Sequence, residues 1–204
     1  MDERKPAANR ARESSGESAE ITRGLRRDHE LILRGATALE RCGARLSQAG
    51  GSALEEPRRL EALLAFFRVF LDRWHHAKEE EVLVPSLLAA GVPRDAGPLA
   101  EIVEQHVRGA DLLSRLSASD LPTAALAIPS YTEFLRQHLM LEERSVFALA
   151  EQSLDGAAKD KLLAEFERID RQMGAPDALA RFEDEITGLL APQSDLVSAT
   201  RPSR

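Results

Sequence analysis

This 204-residue chain contains five histidines, and two of them open the same phrase. His75 is followed four residues on by Glu79, with Glu80 next; His138 is followed four residues on by Glu142, with Glu143 next. The same superposition lays Leu83 on Val146 and Val84 on Phe147. Four helical residues rise about 6 Å, close to one turn, so each imidazole shares a helix face with its carboxylate. Such a pair suits a first-row metal ion, with imidazole nitrogen as a terminal ligand and carboxylate as a bridge. One pair alone is commonly just a histidine beside a solvated acidic face. Two pairs in register make a metal site the better reading.

Two further histidines stand singly on apolar stripes: Leu25, His29, Ile32, Ala36 and Ile102, His106, Gly109, Leu113. Both stripes keep the 3–4 spacing of a buried helix face. The first helix is expected from about residue 20 to 48 and stops at Ala49-Gly50-Gly51-Ser52. The second begins near Pro57, carries Leu60, Leu63, Leu64, Phe67, Leu71, Trp74 and Val82, and ends or kinks at Pro85. A third starts near Pro98. A fourth runs from Pro122 to about Leu154, N-capped by Ser119 or Asp120 and bending at Pro129. No segment alternates with period two, so no strand is expected. The fold class is therefore all-α: an antiparallel up-down four-helix bundle over residues 20–154, with one or two extra C-terminal helices in 155–191 packing on it. Residues 1–19 and 192–204 are too polar to offset the entropy of ordering and read as disordered tails.

Composition narrows the function. Apolar residues make up 43% and aromatics 4%, so the core is Leu, Ala, Val and Ile, which favours helices. A net charge of −7 and a pI near 5.4 offer no broad attraction to nucleic acid or an anionic membrane. No apolar run reaches the roughly 20 residues of a membrane span. The single cysteine, Cys42, excludes an internal disulfide and, with no signal-peptide core, points to the cytoplasm. There is no Ser-His-Asp set, glycine-rich phosphate loop or CxxC.

If the stripes face inward, four imidazoles (His29, His75, His106, His138) and two carboxylates (Glu79, Glu142) converge in the core, one donor group from each helix. Two unpaired buried carboxylates would each cost several kcal/mol, which metal ions compensate. Iron suits this mixed nitrogen and oxygen set best and manganese is the second candidate. Zinc prefers a closed four-coordinate site and would leave part of the set unused. His76 with Glu80 has the same spacing as His75 with Glu79. The repeat and the apolar neighbours Leu71 and Val82 favour His75. His76 is then a replacement, a fifth imidazole, or a partner of Asp72. Tyr131, two turns from His138, reads as core packing, with a phenol tuning the site as the alternative.

The phrase His75-His76-Ala77-Lys78-Glu79-Glu80-Glu81-Val82-Leu83-Val84-Pro85 closely resembles the helix-two signature of the hemerythrin-like, or HHE cation-binding, family. His138-x3-Glu142-Glu143 resembles its helix-four signature, and His29 and His106 stand in the expected order. The resemblance covers about residues 20–152. It implies a non-haem diiron centre: His29 and His75 on one iron, His106 and His138 on the other, Glu79 and Glu142 bridging, and an oxo, hydroxo or water bridge. It further implies a protein that binds iron and responds to dioxygen, peroxide, nitric oxide or redox state. The alternative is a diiron oxidoreductase that decomposes peroxide, metabolises nitric oxide or repairs iron centres. The expected partner is dioxygen, another diatomic molecule or peroxide, with no nucleic acid or membrane; the oligomeric state is left open. True hemerythrins carry a second histidine one turn along helix three, where this chain has Ala110. That departure implies a more open site, less suited to stable oxygen carriage than to sensing or redox chemistry.

Overall fold

The computed structural model describes residues 21–48, 55–95 and 97–191, and among these there are six helices and no strand. The tails expected at residues 1–19 and 192–204 lie outside them, as does the Ala49–Ser52 break. Helix α1 spans Arg23–Ser47. Helix α2 covers residues 55–89, α3 is Gly97–Ala118 and α4 covers residues 121–153. Two shorter helices follow, α5 (Gly156–Gln172) and α6 (Asp177–Leu190). Short connections make α1 to α4 antiparallel neighbours. Around the ring α1 packs on α2 and α4, and α3 packs on α4 and α2. Helix α5 lies against the middle of α2, and α6 against α1 and the start of α2.

Local chemistry starts and stops these elements. Asp120 caps α4, its Oδ1 accepting the Thr123 N–H at 2.9 Å, with Pro122 in the first turn where no donor is missed. Asp155 caps α5 in the same way through Ala158 N–H. The inward stripes bury Leu25, Ile32, Ala36 and Leu39 of α1, Leu63, Phe67, Leu71 and Trp74 of α2, Ile102 and Leu113 of α3, and Leu135 and Val146 of α4. No helix among the described residues is long and apolar enough to cross a membrane.

Two features depart from simple periodicity. Helix α4 runs through Pro129, and α2 continues past Pro85 to Ala89. Both helices also widen into π turns at the chemistry-bearing residues. Phe67–His75 and Glu79–Leu83 are π-helical in α2, as is Glu142–Val146 in α4. Glu79 and Glu142 each begin such a stretch, their carbonyls accepting the N–H of Val84 and Phe147, five residues on. Single π turns of this kind are frequent at functional sites. Pro85 then falls in the first turn after the π stretch, where its missing N–H is least disruptive.

Helix α1 approaches α2 closely because Gly35 has no side chain: a Cβ there would lie 2.5 Å from Cε1 of the buried Phe66. Gly35→Val should therefore lower the unfolding free energy by about 1–3 kcal/mol in denaturant titrations. Gly24→Ala, where a Cβ meets nothing within 4 Å, should not lower it. Cys42 is buried between α1 and α2 and donates to the Glu56 carbonyl at 3.6 Å. Burial, and then the Glu56 charge, push its thiol up to about 12. It should react with a thiol reagent at neutral pH only as the protein unfolds.

Candidate metal centre

All five imidazoles and both carboxylates of the repeated phrases lie in the bundle interior. Glu79, Glu142 and His75 are fully buried, and His29, His106, His138 and His76 are at most 6% exposed. Their donor atoms form two groups, His29, His75, Glu79 and Glu142 in one, and His76, His106 and His138 in the other. Within each group the donor atoms lie within 4.8 Å of one another. The carboxylates span the groups. Glu142 places Oε2 3.2 Å from His29 Nε2, and Oε1 3.0 Å from His138 Nε2 and 3.3 Å from His106 Nε2. Oε2 of Glu79 lies 3.6 Å from His75 Nε2 and 3.3 Å from His106 Nε2. Most of these approaches lack hydrogen-bond geometry. Among the described residues, eight buried side-chain polar atoms have no hydrogen-bond partner, and all but Glu56 Oε2 belong to this cluster. They are Nε2 of His29, His75, His76 and His138, both oxygens of Glu79, and Oε2 of Glu142. Left so, each would cost about 1–3 kcal/mol. Cations between the groups would satisfy them together, and the donor set fits a pair of first-row ions.

The outer nitrogen of each ring is held by a partner. Nδ1 of His29 lies 3.0 Å from Glu143 Oε1, and that of His106 lies 2.8 Å from Glu80 Oε1. Nδ1 of His75 lies 3.3 Å from Asp28 Oδ2, and that of His138 lies 3.1 Å from Gln105 Oε1. His76 Nδ1 is 3.7 Å from Asp72 Oδ1. A neutral ring with its proton on Nδ1 donated outward keeps the Nε2 lone pair for the centre, the usual arrangement behind metal-bound histidine. The pattern has an internal two-fold logic. The glutamate after each core carboxylate (Glu80 after Glu79, Glu143 after Glu142) holds the single histidine of α3 or α1. The residue before each single histidine (Asp28, Gln105) holds the histidine of the partner phrase. The ring pairs His29–His75 and His106–His138 have matching 4.9 Å centroid separations.

Burial alone would lower the His29 imidazole, but the adjoining Glu142 and the charge of Glu79 outweigh it and raise it to about 9. Burial opposes His106 too, and Glu142, Glu79 and Glu80 raise it to about 11. Burial also opposes the charge of Glu142, yet the His138 charge and contacts with His106 and His29 hold it well below the usual carboxylate range. His76 goes the other way. Burial, then the charges of His106 and His75, lower it, leaving a neutral ring with its lone pair free.

The periodicity argument favours His75 over His76 for the core, because adjacent helix positions diverge by about 100°, and leaves His76 as a replacement, a fifth imidazole or a partner of Asp72. The structure buries both, because α2 sits between α1 and α3. His75 turns to Asp28 and His29 of α1, while His76 stacks on His106 of α3 at 4.1 Å and meets His138 of α4 at 5.7 Å. The imidazole absent at Ala110 is thereby matched by one from α2. Glu80, 54% exposed, stands outside the cluster and orients His106. Tyr131 is buried edge-on against Phe67. Sequence reasoning missed Asp28, Lys78 and the roles of Glu143 and Gln105, although each adjoins a motif residue. Asp28 and Lys78 in particular are charged residues buried at 5% and 3%. Glu80→Gln and Glu143→Gln should each weaken metal binding roughly ten- to a hundredfold in chelator competition, with helical content unchanged by circular dichroism.

Comparison with known proteins agrees with this geometry at the family level. A model of the hemerythrin HHE cation-binding domain matches residues 20–150, most of the chain and all seven donors. No curated protein matches, and no solved structure does. The bundle of α1 to α4, its two His-x3-Glu-Glu phrases and this match identify the chain as a member of the hemerythrin HHE cation-binding family.

Proposed function

We propose that this chain holds two iron ions in the bundle core and uses them to bind or respond to a small oxygen- or nitrogen-containing molecule: dioxygen, peroxide or nitric oxide. The observation that carries this reading is the cluster of unsatisfied buried donors, four imidazole nitrogens and three carboxylate oxygens aimed at common points. His29 and His75 would hold one ion, His76, His106 and His138 the other, and Glu79 and Glu142 would join them. Manganese would fit the same set. Bound iron supplies a reversible one-electron change and a Lewis-acidic site for a small ligand. The protein supplies the rest. The position on His29 and His75 has one imidazole fewer, so an ion there would have more room for a small ligand. Phe147 stacks on His29 at 5.3 Å, and the buried Val82 and Val146 help keep water out.

Metal analysis of the purified, iron-reconstituted chain should find close to two irons per chain, with visible absorption that changes on adding dioxygen, peroxide or nitric oxide. A reconstituted chain with no iron would rule the proposal out. His76→Ala should lower the affinity for one of the two irons and leave the other bound. Sustained turnover of hydrogen peroxide, lost in Glu142→Ala, would favour the oxidoreductase form of the reading; binding without turnover would favour a sensor or carrier.

A further inference from the structure

The two halves of the centre match in their donors but not in what stands behind them. His138 is held by Gln105, a neutral amide whose Nε2–H donates to Glu101 at 3.0 Å. His75 is held by Asp28, and the same Oδ2 that meets His75 Nδ1 at 3.3 Å also accepts from Lys78 Nζ at 3.0 Å. Lys78 Nζ also lies 2.6 Å from Oδ1 of Asp170 on α5. That oxygen accepts the Trp74 Nε1–H at 2.7 Å, and the ammonium sits 5.7 Å from the Trp74 ring centre. The repeat places Leu141 where Lys78 stands, so the other half has no counterpart to this chain.

We infer that Asp170, on a helix beyond the family domain, is a positioning residue for the metal centre, acting through Lys78 and Asp28 on His75. The inference rests on the diiron reading for its effect on metal and on geometry alone for its effect on His75. The physical link is competition for one oxygen. Lys78 and the His75 Nδ1–H share Asp28 Oδ2 in a site almost closed to water, where charge interactions are weakly screened. Asp170 takes part of the Lys78 charge and leaves Asp28 freer to hold His75. Without Asp170, the ammonium binds Asp28 alone, and its hold on His75 slackens. Oxygen partners behind a metal-bound histidine set ring orientation and donor strength. Helix α5 therefore acts on the ion held by His29 and His75 and leaves its neighbour alone.

The plain alternative is that Lys78 and Asp170 merely clip α5 to the bundle. Asp170→Asn separates the two, since an amide oxygen still accepts from Trp74 and the side chain is 36% exposed, so folding should survive. In the full-length, metal-free protein, imidazole nitrogen NMR should show the His75 Nδ1 resonance moving in Asp170→Asn, the His138 resonance staying, and Asp170→Glu restoring His75. Gln105→Ala should do the reverse, moving His138 only. In chelator competition with ferrous iron, Asp28→Asn should weaken one site about ten- to a hundredfold, and Asp170→Asn the same site about three- to tenfold. A His75 resonance and iron affinities unchanged in Asp170→Asn, with only thermal stability altered, would overturn the inference. A wild-type chain that takes up no iron, while His75 still answers to Asp170, would overturn the diiron reading and uphold the coupling.

Discussion

Two carboxylates, Glu79 and Glu142, are sealed from solvent at the centre of the bundle with the Nε2 atoms of the imidazoles turned toward them. Moving an anion out of water costs several kcal/mol unless a partner compensates it, and a half-satisfied polar cluster is worse than an apolar core. The ordinary partners, hydrogen bonds, are largely missing at the inner atoms of this cluster and present at the outer ones. Every ring has an oxygen behind it and turns its Nε2 to the front. An arrangement that satisfies the back and leaves the front bare makes sense when cations occupy the front, and much of the remaining structure serves it.

The helices serve it by geometry. Four antiparallel helices can each offer one face to a common axis, and the α2 and α4 faces carry a donor pair one turn apart. The π stretches begin at Glu79 and at Glu142, so the local widening coincides with the carboxylates that reach both donor groups. Gly35 serves it differently, by letting the Phe66 ring sit where a side chain of α1 would stand. The apolar shell of Ile32, Val82, Val146 and Phe147 lowers the local dielectric, which strengthens the interactions that hold the cluster and raises the cost of leaving it unfilled.

The centre is nearly symmetric in its donors and asymmetric in its supports. Asp28 and Gln105 occupy corresponding places, as do Lys78 and Leu141, yet one member of each pair is charged and the other neutral. His76 adds a third imidazole on one side alone. The two donor groups thus offer different numbers of imidazole nitrogens, on rings whose supports differ in charge. Under the diiron proposal, that inequivalence would let one ion stay saturated while the other takes a small ligand.

The sequence by itself determined the helical class, the order of the helices, and the set His29, His75, Glu79, His106, His138 and Glu142 as the residues to examine. It could do so because these depend on local spacing: one turn between donor and donor, a stripe of apolar neighbours, and a phrase that occurs twice. The tertiary structure decided the place of His76, because a residue on the flank of its helix is core or surface according to which helices stand beside it. It also decided which oxygens lie behind the rings, since Asp28 and His75 are 47 residues apart and meet only when α1 packs on α2. The π turns at Glu79 and Glu142 had no local signature, for Pro85 follows one of them and Ala148 stands at the matching place after the other. Asp170 was least legible of all. An acidic residue on an amphipathic terminal helix looks like a solvated one until the fold brings a buried lysine against it.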